Sequence, residues 1–461
     1  MRLMSKHGEA QRAIIKADFT GGLNTSMSIE DIGENQLADV LNMEVDHNNA
    51  KLRVVSGTSD ILVAEDIYAA IYDSINGVIL VVTTDKEVYL ADFDGHISGN
   101  SLGKLTGELY PKYAAWEDGV LIASGGQLQY FNGSMLLLID SPQADNVFIR
   151  AGRVVVASGS ILRYSAVGAE TNWLDDSNVE SASKFIETGY KDGTNLISAV
   201  PLSNNILVVK SNGICYRLVD EYPRWTLVQV ATEIDCRGRL SCCAVGEDVF
   251  ILGEDKAHFV QSTVYGNVKP EDIAALVRSE VLKLPKNAVV KYIAPLSQIW
   301  CIGHNGVVMV FDTVTKSWYK RQFNSEVLDA FSAGEEVYIV KPDRISKLDA
   351  DTSKDNGEYL NWRFLTQRLV SHHNYLLKRS QVTITPSNPE GYVGHFSCGR
   401  VKLPAPRQIK LNATTLPQMP NEKDNVILES RNVFRSKHLD VAGHGHGGLT
   451  IHSIVIDIAE V

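Results

Sequence analysis

The sequence predicts an all-β fold: a β-propeller of six or seven blades, with a small β-rich platform domain built from the C-terminal and N-terminal segments. Three observations lead there. Hydrophobic residues alternate with period two over most of the 461 residues, as half-buried strands require. Strands come in pairs, each a hydrophobic strand, a turn of two to four residues and an alternating strand that carries an aromatic; turns that short force antiparallel hairpins. The units begin near Ile67, Tyr110, Asn146, Asn195, Arg239, Val289 and Glu326, at intervals of 43, 36, 49, 44, 50 and 37 residues, the length of a four-stranded blade. Blades bury their faces only against neighbours, so a closed array is favoured. A pair of β-sandwiches shares the alternation, but seven similar hairpins in a row match sandwich topology poorly.

In chain order, residues 1–57 form an opening segment, 58–365 the propeller and 366–461 the platform. Within the opening, Asp18-Phe19-Thr20-Gly21-Gly22-Leu23-Asn24 is rich in turn formers, while Leu37, Val40 and Leu41 have the spacing of one helical face and predict a short helix over 34–43. Strand pairs follow at 77–84 with 87–93, 119–124 with 127–131, 153–158 with 161–165 and 205–210 with 213–218. Three more lie at 248–253 with 257–260, 298–302 with 306–312 and 336–340 with 343–348. A second helix is predicted over 270–277, with Pro270 at a permitted first turn and Glu271 and Asp272 near the positive end of its dipole. Trp318 ends a propeller strand and is expected in the core. Strands near 368–370 and 378–385 precede a Pro-, Asn- and Gly-rich stretch. The alternating run 449–461 is expected to be paired.

With 44% hydrophobic residues, 21% charged residues and a mean hydropathy of −0.07, the chain reads as a folded soluble protein. It has no run of 18 apolar residues, which argues against a spanning helix, and no apolar stretch follows its charged start, so no secretory signal is expected. Charge is uneven. Residues 366–461 hold 11 basic and 7 acidic groups, a net of +4, and residues 1–365 hold 33 and 48, a net of −15. Acidity serves solubility; it also suits a wall past which DNA slides without sticking. Cys215, Cys236, Cys242, Cys243, Cys301 and Cys398 sit mostly in apolar strand-like runs and read as buried free thiols of a reducing cytosol. A redox pair at vicinal Cys242-Cys243 is the lesser reading.

Sites of chemistry are scarce. His444 and His446 lie in Gly443-His444-Gly445-His446-Gly447-Gly448 without a third ligand at a suitable spacing, so a flexible Gly-rich loop is expected rather than a metal site. His372 and His373 point to opposite faces if extended. Neither a phosphate loop nor a nucleophile elbow occurs. Asp92, Asp94, Glu117, Asp118, Glu254 and Asp255 recur near blade turns, where acids cap and solubilise, and the aspartate box of sialidase propellers is missing. No catalytic residue, cofactor or metal is expected.

Phe19, Gly21, Gly22, Leu23 and Asn24, followed by Asn42 after Leu41 and by Gly57 after Ser56, stand in an order that resembles the start of the packaged-DNA stabilisation and tail-nozzle proteins of short-tailed bacteriophages. Arg163-Tyr164-Ser165-Ala166 before Asn172-Trp173, Cys236-Arg237-Gly238-Arg239-Leu240-Ser241, and Trp362-Arg363-Phe364-Leu365-Thr366 add to it. The resemblance spans nearly the whole chain and rests on the order of the motifs.

It implies a virion structural protein rather than an enzyme: a ring of six copies below the portal and head-tail adaptor, touching a tail fibre, spike or needle. Such a ring retains packaged double-stranded DNA and lets it pass on ejection. It would be assembled in the bacterial cytoplasm and reside in the virion tail, with no membrane segment. The +4 region would dock on an acidic neighbour. Readings from other classes are a carbohydrate-binding or carbohydrate-hydrolysing propeller acting on host surface glycans, and a scaffold propeller for peptides. A glycan site calls for clustered aromatics and paired acids at one mouth. The sequence has turn acids but no Trp or Tyr repeated at one blade position.

Overall fold

The structure is a computed structural model that describes residues 11–174, 182–189, 193–203, 205–219, 225–262, 268–386, 392–399, 401–403, 425–431 and 433–460. Seven four-stranded sheets follow one another, and their first strands are Ile67–Asp73, Lys112–Trp116, Asn146–Arg150, Leu196–Leu202, Cys242–Val245, Val289–Ile293 and Asp329–Ala333. Each begins within three residues of the start expected from the repeat. The sheets are antiparallel blades, and among the described residues they number seven. The fourth strand of the seventh sheet, Gly57–Val63, comes from ahead of the first blade.

Hydrophobic side chains join consecutive blades from the first to the fifth, and the seventh to the first. Leu80, Val82 and Ile71 of the first blade pack with Val120, Ile122 and Phe131 of the second. Phe148 and Val155 of the third pack with Val208 and Leu218 of the fourth. Blade seven meets blade one, where Phe331 stacks on Tyr72 at 5.5 Å and on Tyr338 at 5.2 Å. This is a closed β-propeller.

The chain divides into two compact units, residues 60–306 with 325–347, and residues 1–59, 307–324 and 348–461. The latter contains two larger sheets. One is built on the antiparallel long strands Leu369–Pro386 and Leu449–Glu460. Gln11–Lys16 and Leu52–Val54 line the free edge of Leu449–Glu460, while Val426–Ser430 and Phe434–Leu439 line that of Leu369–Pro386. The closing run is therefore paired. The other sheet has the order Gly22–Leu23, Gln36–Leu41, Asn361–Thr366, Val441–Gly447, Tyr392–Cys398 and Val401–Lys402. N- and C-terminal segments share both sheets.

Three expectations fail. The helix over 34–43 is instead the strands Gln36–Leu41 and Met43–Val45. A register shift between Leu37 and Asp39 against Asn361–Thr366 inserts one residue, so Leu37 and Val40 both turn inward. A bulged strand thus imitates the three-residue spacing of a helix. The helix over 270–277 is displaced: Pro270 pairs with Val260 in an outermost strand, where no neighbour needs its missing N–H, and a helix forms only at Arg278–Val281.

The Gly-rich loop at 443–448 is mostly strand, Val441–Gly447, lying between Asn361–Thr366 and Tyr392–Cys398. A side chain at Gly443 would run into the ring of Phe364, and one at Gly445 into the Val393 carbonyl. These glycines clear space for Trp362, Phe364 and Phe396, all buried. Of the Pro-, Asn- and Gly-rich stretch after Thr385, Tyr392–Cys398 is strand, while 387–391 and 404–424, like the side chains of His372 and His373, lie outside the described residues.

Candidate functional site

The opening motif folds on itself first. Asp18 Oδ1 accepts from the Thr20 N–H at 2.8 Å and its hydroxyl at 2.6 Å, and the Gly22 N–H donates to the Phe19 carbonyl at 3.2 Å. That turn needs φ +61° at Gly22, whose Cβ would stand 2.7 Å from Ser317 Cβ and 2.8 Å from the Trp318 carbonyl. Only glycine suits both the conformation and the close approach. Leu23 is buried and pairs in parallel with Leu37. Asn24, also buried, donates from Nδ2 to Gln36 Oε1 at 2.8 Å and accepts at Oδ1 from the N–H groups of Ser26 and Met27. Gly21 backs on Asn35 and Gln36, with its N–H on the Asn35 carbonyl.

Asn42 and Gly57 act elsewhere in the same unit. Asn42 takes φ 53°, a conformation asparagine tolerates better than most residues. Its N–H donates to the Lys320 carbonyl at 2.9 Å and its own carbonyl accepts from Val55 at 3.1 Å. The Gly57 N–H donates to the Thr352 carbonyl at 2.7 Å, and a side chain there would strike the Lys354 backbone. Next to it the Thr58 hydroxyl donates to buried Asp355 at 2.7 Å. Gly22 and Asn42 thus both grip the strand Ser317–Gln322. The motif residues bind the protein's own backbone and shape a joint. Trp318 is buried against Phe311, as expected of a core aromatic.

The remaining polar candidates do not converge. His444 and His446 lie on one face of their strand, His444 beside His395 with ring centres 5.4 Å apart and His446 stacked on Tyr359 at 4.6 Å. Among the described residues no three His, Cys, Asp or Glu side chains form a metal cluster. Asp92 accepts from the N–H groups of Asp94 and His96, each at 2.9 Å, a turn-capping role. Asp118 accepts from the Tyr130 hydroxyl, and the Glu254 N–H and carbonyl bond Asp235 and Arg237.

The sequence reading missed a polar cluster where the first strands of the blades meet. Lys112 Nζ of the second blade donates to Asn146 Oδ1 at 2.8 Å and Ser198 Oγ at 2.9 Å, on the third and fourth. Ser198 Oγ donates to the Arg239 carbonyl at 3.2 Å, and the Arg239 guanidinium bonds the carbonyls of Asp145 and Tyr110. On the seventh blade buried Asp329 accepts from the Tyr110 hydroxyl and from Lys291 Nζ, each at 3.0 Å.

Burial, then the Asp329 charge, pushes the Tyr110 phenol well up. For Lys291 burial works downward, yet Asp329 and Tyr113 outweigh it and the ammonium is held. Among the described residues Lys112 has no carboxylate partner, and burial followed by Arg239 lowers it to about 7. The signal was present: these polar residues stand at or near the starts of strands that are otherwise hydrophobic.

No family profile matches the chain, and no curated protein does. Solved structures similar to it include YCF48 from Cyanidioschyzon merolae, at 9% identity over 63% of this chain and 98% of that one, with a TM-score of 0.41. BamB from Moraxella catarrhalis is similar at 9% identity over 72% of this chain and 97% of that one, TM-score 0.39. PorZ of the Porphyromonas gingivalis type-IX secretion system is similar at 12% identity over 69% of this chain and 44% of its own, TM-score 0.39. Likeness at this level says nothing of what the chain binds. Among the described residues no helix is long and apolar enough to cross a membrane.

Proposed function

We propose that the chain is a structural, non-catalytic component of a bacteriophage tail. It forms a ring below the portal and adaptor that retains packaged DNA and lets it pass on ejection. The observation that carries this reading is the use made of the opening motif. Phe19, Gly21, Gly22, Leu23, Asn24, Asn42 and Gly57, the residues that bear the resemblance to tail-nozzle proteins, spend their polar groups and their lack of side chain on holding strands together. A motif devoted to internal anchorage suits a part that carries load in an assembly. The −15 net charge of residues 1–365 suits a wall that repels the duplex.

The test is the mass of the purified chain by light scattering, with negative-stain images of the same peak. Rings of about six subunits are expected, or monomers that close into rings when a portal–adaptor complex is added. A stable monomer indifferent to that complex but retained on a glycan array would replace this reading with the carbohydrate one.

A further inference from the structure

Cys236 lies in the segment leading into the fifth blade, and Cys242 is the first residue of that blade's first strand, Cys242–Val245. The residues between them are folded back and fixed. The Ser241 N–H donates to the Gly238 carbonyl at 3.0 Å and its hydroxyl to the Ala288 carbonyl at 3.0 Å. Arg237 fans over the carbonyls of Gly253, Leu284 and Val281 at 3.0, 2.6 and 3.0 Å. This fold brings the two Sγ atoms within 3.3 Å of each other, and both residues are buried. Cys243 pairs with Phe250 one position along the strand, so its side chain points to the opposite face.

Lys112 and Ser198, bonded to each other at 2.9 Å, stand beside Cys242. The Cys242 thiol is lowered from its ordinary value by its hydrogen bond with Cys236 first, and by Lys112 and Ser198, against the opposing effect of burial. Cys236 is raised by that same contact first and by burial, and its Sγ donates to the Gly238 carbonyl at 3.4 Å. Two thiols this close, with a lysine beside one of them, need only a short closing movement to form a disulfide.

We propose that Cys236 and Cys242 are a dithiol modification site, Cys242 attacking and Cys236 resolving, which a small disulfide such as oxidised glutathione converts to an intramolecular disulfide. The Cys242 thiolate attacks one glutathione sulfur, forms a mixed disulfide and releases a glutathione thiolate, which takes up a proton. Cys236 then loses its proton to solvent and attacks Cys242 Sγ, releasing the second glutathione. Two protein thiols lose two electrons, and one glutathione disulfide gains them. The crosslink closes the segment that carries Arg239. Through Arg239 it ties the fifth blade to the Tyr110 and Asp145 carbonyls ahead of the second and third. The inference is independent of the tail reading.

The test incubates the full chain with oxidised glutathione, alkylates it with iodoacetamide before and after unfolding, and maps the peptides. The expected result is loss of two hydrogens, one linked peptide joining Cys236 to Cys242, and the other four cysteines alkylated once unfolded. The Tm should rise and fall back with dithiothreitol. Cys236→Ser should trap glutathione on Cys242, Cys242→Ser should leave Cys236 unmodified, and Lys112→Met should slow the reaction several-fold. Cys236 and Cys242 both alkylatable after oxidation, a disulfide through Cys243, or a preferred adduct on Cys236 overturns the proposal. If a serine variant does not fold, the mapping of the parent chain decides alone.

Discussion

Asn42 engages both backbone polar groups of Gln322: its Nδ2 donates to the Gln322 carbonyl at 3.2 Å, and its Oδ1 accepts from the Gln322 N–H at 2.7 Å. The same amide reaches the Asn361 carbonyl at 2.8 Å. One side chain thus replaces a stretch of sheet ladder where the bulged strand ends. Asn42→Ala should lose these bonds, leave buried groups unpaired and strain a positive φ, for a loss of about 3 kcal/mol in urea unfolding. Asn42→Gly should recover only the strain, about 1 kcal/mol. Equal losses in the two variants would mean that the positive φ costs alanine nothing, and an unchanged stability in the glycine variant would mean that the side-chain bonds contribute nothing.

Gly22 and Gly77 have nearly the same φ, +61° and +66°, but Gly77 has nothing within 4 Å of its absent Cβ. Alanine at Gly77 should therefore cost only the conformational term, about 1 kcal/mol. At Gly22 the Trp318 backbone stands in the way, and the cost should exceed that by about 2 kcal/mol. The comparison isolates close approach from dihedral preference, and a similar Tm loss in both variants would refute the packing account.

Blade starts were legible because each first strand is a dense apolar run after turn residues, and burial in a closed array leaves that pattern little freedom. What failed has identifiable physics. The bulge between Leu37 and Asp39 changed the parity of burial and gave a strand the face of a helix. Gly443 and Gly445 read as loop because glycine's use there is to admit the rings of Phe364 and Trp362 from neighbouring strands, which no local pattern reveals. Cys236 and Cys242 are six positions apart, and only the folding back of Arg237 to Ser241 makes them neighbours, so adjacent Cys242-Cys243 drew attention instead. The joint built by Gly22 and Asn42 was visible as a motif, but its partner strand, Ser317–Gln322, lies some 300 residues away in sequence.

A side chain at Gly443 would overlap Phe364 and touch Phe396 Cδ1 at 3.0 Å. Gly443→Ala should destabilise by roughly 1–3 kcal/mol through overpacking. Phe364→Leu alone should also destabilise by leaving a void. Together they should cost less than the sum, with a coupling of about 1 kcal/mol or more. Strict additivity in a denaturation cycle would show that the ring and the glycine do not share the same space.

At a net charge of −11, with the excess of acid in residues 1–365, the purified chain should not retard duplex DNA in a gel at low salt. Phosphate binding requires clustered cations and weakens steeply with salt. Tight, salt-sensitive retardation would remove the repelling-wall argument, whatever the oligomeric state.

Lys112 gives a pH signature with a defined sign. Its folded pKa of about 7 lies below that of an unfolded lysine, about 10.4. Between those values the unfolded chain holds a proton that the folded chain lacks, so this group makes stability rise with pH across the window. Below about pH 7 both states are charged, and the charge at the meeting of the blades opposes folding in full. Lys112→Met should therefore gain most over its parent near neutral pH. That advantage should shrink toward pH 10, where the parent keeps neutral-amine bonds to Asn146 and Ser198 that the variant lacks. Cys242 titrates beside it, so both chains should carry Cys242→Ser. Urea unfolding at several pH values reads the difference, and parallel profiles would show that Lys112 is no more reluctant to carry charge folded than unfolded.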